Sequence, residues 1–247
     1  MAAAPDRAVL ARALANALDC ATYASRQRRD WAGCLALLEE IEEVEKGVGE
    51  SRYSRYRTRF NRYLPLTKLG RLGEAQALLE ACLVVYREAD DLEMQSNALS
   101  GLADVRDKRG DARQATALER QALSVANRLP GPLERGISHG NLARYLTKIA
   151  GAKTARAAVL REEERGHRLA AGCYYLLLER WDHLETWLGN LRIYRAWAAE
   201  NGEEYVLPRL AELLALPAFE PLARFMAGRG VTVEQLQGAL DEVIERA

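Results

Sequence analysis

A period of forty residues runs through much of this 247-residue chain. Ala75, Ala115 and Ala155 are forty apart, and so are Leu38, Leu78 and Leu118. "NRYLPLTKLG" from Asn61 and "NLARYLTKIA" from Asn141 lie eighty apart and share Asn, Leu-Thr-Lys and an aliphatic residue in register, with "GLADVRDKRG" from Gly101 midway. Several columns agreeing on one interval restrict the fold strongly. A unit of this length cannot bury its apolar face alone and must stack on its neighbours.

Each unit reads as a pair of helices. The first carries apolar residues at helical spacing: Leu99, Leu102 and Val105 in one unit, Leu142, Tyr145, Leu146 and Ile149 in another. Gly70, Gly110-Asp111 and Gly151 mark the turn inside each pair. The second helix has its own stripe, Ala75, Leu78, Leu79 and Cys82, then Ala115, Leu118, Ala122 and Val125. A small alanine lets two helix backbones approach, and the larger residues fill the seam. Pro130, Gly131 and Pro132 break the chain between units. No segment alternates apolar and polar residues over a useful length, so strands are not expected.

These residues resemble the tetratricopeptide repeat in its longer bacterial form. The family pattern is a Leu-small pair in the first helix, a Gly turn, then Ala and later Ala-Leu in the second. Here those are Leu102-Ala103, Gly110, Ala115 and Ala122-Leu123. The resemblance spans about residues 15 to 165. It implies an all-α fold: a right-handed solenoid of helix pairs over residues 1–200, with 201–247 as a helical C-terminal cap. Such repeats often serve as sensor or adaptor regions of bacterial signalling proteins. The chain departs from the pattern at Arg62-Tyr63, where a Leu-small pair is expected, and at Pro65, which interrupts a first helix. The period is lost after Gly166, although Leu184, Leu188 and Leu191 still form a stripe. Pro208, Pro217 and Pro221 cut the tail into short helices, and Thr232 with Gln235 has the spacing of a capping box.

The stretch "SRYSRYRTRFNRYLPL", residues 51–66, alternates Tyr53, Tyr56, Phe60 and Tyr63 with Arg52, Arg55, Arg59 and Arg62. On one helix the two sets occupy faces roughly 110° apart. The aromatic face is expected to fill a seam. The arginine face has a partner upstream in Glu39, Glu40, Glu42, Glu43 and Glu45. Exposed aromatics beside cations would instead suit stacked bases, and an arginine-rich rim would suit an acidic protein.

Arg28, Lys68, Lys108 and Lys148 are also forty apart, each near the end of a first helix. Stacked units would align these cations along one edge, where an acidic peptide would answer them. Each also suits the negative end of its own helix dipole. The resemblance adds Asn61 and Asn141, which match an Asn that often faces the concave groove and hydrogen-bonds a bound peptide backbone. Gly101 and Ala21 hold the equivalent positions of other units, so that ladder is incomplete. Arg57, Asn97, Asp104 and Arg144 are expected near the same face.

Composition narrows the alternatives. Lys plus Arg and Asp plus Glu are 35 each, so bulk charge makes no case for nucleic acid or an anionic membrane. Cys20, Cys34, Cys82 and Cys173 lack Cys-x-x-Cys spacing and read as small buried apolar residues in a reducing compartment. His139, His167 and His183 form no metal-ligand spacing; Glu179 and His183, four apart, are the one weak acid–base pair. The glutamate runs at 39–45 and 162–164 read as solvated faces. The N-terminus lacks the basic-then-apolar pattern of a signal peptide, and no apolar run approaches membrane-spanning length. The expectation is a cytoplasmic, non-enzymatic scaffold without cofactor or metal that grips a protein or peptide, acidic in one version. The rival readings are a regulatory sensor acting on a separate effector and, last, a nucleic-acid binder.

Overall fold

A computed structural model describes residues 7–150 and 155–246. The turn expected at Gly151 and the side chain of Ala155 lie outside the described residues. Among those residues the only regular secondary structure is helical. The chain divides into two compact units, Met1–Asp111 and Ala112–Ala247.

The first unit contains α1 (Arg7–Gln27), α2 (Trp31–Gly47), α3 (Arg52–Phe60), α4 (Tyr63–Lys68), α5 (Leu72–Glu88) and α6 (Leu92–Lys108). Helices pack on their neighbours in order: α1 on α2, α2 on α3 and α4, these on α5, and α5 on α6. The starts are capped as their sequences dictate. Asp30, Ser51 and Asp91 accept hydrogen bonds from the backbone of Gly33, Ser54 and Met94 at 2.9, 3.0 and 3.0 Å. The chain turns through a left-handed residue after α1, α4 and α6, at Arg29 (φ 57°), Gly70 (φ 75°) and Gly110 (φ 83°). Glycine takes that conformation freely; Arg29 takes it at a steric cost.

The expected interruption at Pro65 separates α3 from α4. The break falls at Asn61-Arg62, because Pro65 has no N–H for the Asn61 carbonyl four residues earlier. The carbonyl is not orphaned: the Arg26 guanidinium, from the end of α1, donates to it at 3.2 Å. The α5–α6 seam is built from the expected stripes, with Ala75, Leu79, Cys82, Leu99, Leu102 and Val105 all buried.

The second unit contains α7 (Ala112–Ala126), α8 (Leu133–Ile149), α9 (Ala155–Leu177), α10 (Trp181–Glu200), α11 (Leu210–Leu214), a 3-10 turn (Pro217–Phe219), α12 (Glu220–Gly228) and α13 (Val233–Glu245). The prolines of the tail do divide it into short helices. Thr232 and Gln235 close the expected capping box, through bonds of 3.2 and 2.9 Å. The tail packs in one core with α9 and α10, where Leu210, Leu213, Phe219, Leu222 and Leu236 meet Leu169, Tyr174, Leu184, Trp187 and Leu191. At the α9–α10 crossing, a Cβ on Gly172 would lie 2.6 Å from the Trp187 ring. That ring is fixed by its indole N–H, which donates to the Arg168 carbonyl at 2.8 Å.

Three expectations need correction. Cys34, Cys82 and Cys173 are buried, but Cys20 is exposed on α1. Glu179 and His183 do not share a helix face, because Glu179 is itself the left-handed residue (φ 54°) between α9 and α10. The glutamate runs are not uniformly solvated: Glu42 and Glu164 are each 3% exposed. Charges so placed require partners, and both have them.

Candidate functional site

In the first unit α1, α2, α3 and the start of α6 enclose a cleft of about 450 Å³. Leu38, Ile41, Phe60 and Met94 provide its apolar wall, and Asn16, Asp19, Glu45, Arg57 and Asn61 its polar one. Helices α1, α2 and α3 each contribute residues about one turn apart, the arrangement that puts side chains on a single face, and α6 adds Met94. Arg57 and Asn61, both picked out by sequence, therefore line the same space. Glu45 is poised unusually there. Its Oε1 accepts from the Thr58 hydroxyl at 2.6 Å, while Oε2 is buried without a hydrogen-bond partner. Burial raises its pKa above the ordinary carboxylate value, against the Thr58 hydrogen bond. The cleft thus offers an unsatisfied acceptor, a guanidinium and an amide beside an apolar wall.

Most of the arginine–aromatic stretch is engaged within the fold. Arg62 pairs with Glu39 at 2.7 Å and with Glu42 at 3.0 Å. Arg59 donates through Nε to Glu42 at 2.6 Å, and Arg52 reaches Glu88 at 2.5 Å. Burial works to raise the pKa of Glu42, but the Arg59 hydrogen bond and the charges of Arg59, Lys46 and Arg62 outweigh it and hold the carboxyl below its ordinary value. Tyr53 meets Tyr86 edge-on and donates to Asp91, while Phe60 packs on Tyr63 and Tyr86. Tyr53, Phe60 and Tyr63 are half-buried against a fully buried Tyr86. The seam and the upstream glutamates account for this pattern.

The remaining sequence-selected residues lie elsewhere. Lys68 and Lys108 occupy the last turns of α4 and α6, and Lys148 that of α8 in the second unit. Arg28 is out of step: Arg29 is left-handed one residue after it, whereas Gly70 and Gly110 follow Lys68 and Lys108 by two. The cations also have neighbours, Lys108 lying 3.5 Å from Asp104 and Lys68 5.8 Å from the centre of the Trp31 ring. Asn97 sits half-buried on α6, outside the cleft lining. In the second unit Asn141 is half-buried on α8, and Arg144 lies over the Tyr145 ring at 4.5 Å, donating to its hydroxyl at 3.0 Å. Gly101, the counterpart of Asn61 and Asn141, is buried where a Cβ would come within 3.0 Å of Leu79. That position serves packing rather than recognition.

The second unit holds two buried polar groups that the spacing of the sequence does not reveal. His139 on α8 and His167 on α9 meet through their Nδ1 atoms at 2.7 Å. One must donate and the other accept. Burial pushes the pKa of His139 well down, helped by the His167 and Arg135 charges. His167 and Arg120, the latter 2.6 Å away, hold Glu163 down at about 2 against the effect of burial. One residue on, Arg168 donates through Nε to Glu164 at 2.7 Å and to the Tyr205 hydroxyl at 2.8 Å. Among the described residues no group of three or more His, Cys, Asp or Glu is placed to hold a metal ion. No helix among them is long and apolar enough to cross a membrane.

No protein-family model matches the chain, and no curated protein matches it. Solved structures do resemble it. One is BtubC (BKLC) from P. vanneervenii, with a TM-score of 0.52 and 16% identity over 81% of this chain and 86% of that one. Another is a signal transduction ATPase with numerous domains (STAND) with a tetratricopeptide repeat sensor, from Pyrococcus horikoshii, with a TM-score of 0.54 and 15% identity. That alignment covers 99% of this chain but only 37% of the P. horikoshii protein. At such identities the likeness is one of fold, which is all-α and built from helices packed in sequence on their neighbours.

Proposed function

We propose that this chain is a protein-interaction module whose first unit holds an extended peptide in the α1–α2–α3 cleft. The observation that carries the reading is the convergence of Glu45, Arg57 and Asn61 on one apolar-walled cleft of about 450 Å³. A peptide backbone offers an N–H for the free Glu45 oxygen and a C=O for Arg57 or the Asn61 amide, and one side chain for the apolar wall. Recognition without a chemical step needs nothing more. The cleft carries both signs of charge, so an acidic ligand is favoured only at Arg57, and the basic column contributes less than its spacing suggests.

A peptide selected from a random display library on the full chain tests this. Calorimetry should show binding weakened roughly tenfold or more by Arg57→Glu and by Asn61→Ala, with unfolding midpoints unchanged. Unaltered affinity in both variants would sink the reading.

A second reading is a regulatory sensor controlling a separate effector. It is supported by the P. horikoshii protein, which carries its tetratricopeptide repeats as a sensor. A ligand-dependent change in the chain's scattering radius would favour it over a passive scaffold.

A further inference from the structure

We propose that the second unit contains a separate small-molecule site, a cleft between α8, α9 and α10 that takes an amphipathic carboxylate with an aromatic body. The cleft encloses about 290 Å³, near the lower end of the range of small-ligand pockets, roughly 300–1,000 Å³. Its lining is mainly apolar: Ile193, Tyr194 and Trp197 of α10 face Tyr205 beyond the helix. Ile193 is 65% exposed and Trp197 46%, although both belong to a concave wall. Large apolar groups left open around a cavity mark a place where something else binds.

The floor is closed and rigid. Glu164 is taken up by Arg168 and by the Tyr205 hydroxyl at 2.8 Å, and the Arg168 guanidinium lies 3.9 Å from the centre of the Tyr194 ring. One face of Tyr194 is therefore occupied and Trp197 is the open ring. The charge at the mouth is unbalanced. Arg161 and Arg165 line it, neither held by a carboxylate among the described residues; Arg165 reaches the Glu204 carbonyl at 3.5 Å, and its Nε is buried without a hydrogen-bond partner. Arg165 lies 5.2 Å from the Tyr205 ring centre, which keeps its guanidinium at the rim. Among the described lining residues Glu203 is the one carboxylate outside the Glu164 cluster. Two guanidiniums against one free carboxylate favour an anion, and a planar carboxylate fits the guanidinium fork. The aromatic body packs on Trp197 and the neighbouring Ile193.

This site is independent of the peptide cleft, and either can fail alone. The probes are 2-naphthoate, its neutral amide and 2-naphthylmethylamine, titrated into the full chain by calorimetry. The naphthoate should bind saturably and at least about tenfold more tightly than the amide, with the amine weakest. Arg161→Gln should remove most of that preference without changing the circular dichroism, and Trp197→Ala should weaken acid and amide alike. Arg165→Gln repeats the first test at a second position. Equal binding of acid and amide, tighter binding of the amine, an unaffected Arg161→Gln variant, or no saturable binding of any probe overturns the proposal.

Discussion

Glu42 shows how much one buried carboxylate can organise. It receives Arg59 and Arg62 from α3 and the turn after it, and lies 3.5 Å from Lys46 on its own helix. Breaking a buried pair leaves uncompensated charge, at about 3–5 kcal/mol. The two arginines retain some solvent, so Glu42→Gln should cost less, about 2 kcal/mol, read as a lower urea midpoint. A carboxyl with a depressed pKa stabilises the fold above its unfolded pKa and loses that contribution as pH falls through the folded one. His139 acts earlier in an acid titration. Its pKa is lowered on folding, so the unfolded chain binds the proton more readily, and stability is lost as pH drops below the ordinary histidine value of 6.5. The groups facing it are His167 of α9, Arg135 of its own helix, and the rings of Tyr174 and Phe219. In His139→Phe the loss of stability between about pH 7 and about pH 5 should be visibly shallower.

At the scale of helices, two junctions carry definite predictions. Gly172→Ala drives a methyl into the Trp187 ring, which its hydrogen bond to Arg168 holds in place. Overpacking of this kind costs about 1–3 kcal/mol, and thermal unfolding should show it. Pro65→Ala restores an N–H opposite the Asn61 carbonyl. Residues 52–68 should then tend toward one helix, with the new amide protected from hydrogen exchange. What the sequence disclosed follows from locality. The seams of Ala75 with Leu79 and Leu99 with Leu102, the capping box at Thr232 and the break before Pro65 depend on residues a few positions apart. His139 and His167 stand 28 positions apart, and Arg168 and Tyr205 37, with no shared period to connect them. Arg57 and Asn61 could be picked out, but the Glu45 oxygen opposite them required the packing of α2 on α3. In the Arg28 column the first member stands one residue nearer its left-handed turn, at Arg29, than Lys68 and Lys108 stand to theirs.

For the molecule as a whole, each unit presents its own cleft on its own core, so ligand binding to one should leave the other intact. Arg57→Glu should weaken peptide binding roughly tenfold or more and leave naphthoate affinity within about twofold, measured on the same preparation. Helix α1 serves both the core and the cleft. Ala15 and Leu18 pack against Cys34, Leu38 and Ile41, while Val9, Leu10 and Leu14 are half-exposed. Yet Ala15, Asn16 and Asp19 form one wall of the cleft, and Arg26 holds the kink where Asn61 enters it. Local opening of α1 and release of the occupant are therefore two readouts of a single equilibrium. A bound peptide would slow proteolytic cleavage within α1, and a chain already cleaved there would have lost its grip before its fold.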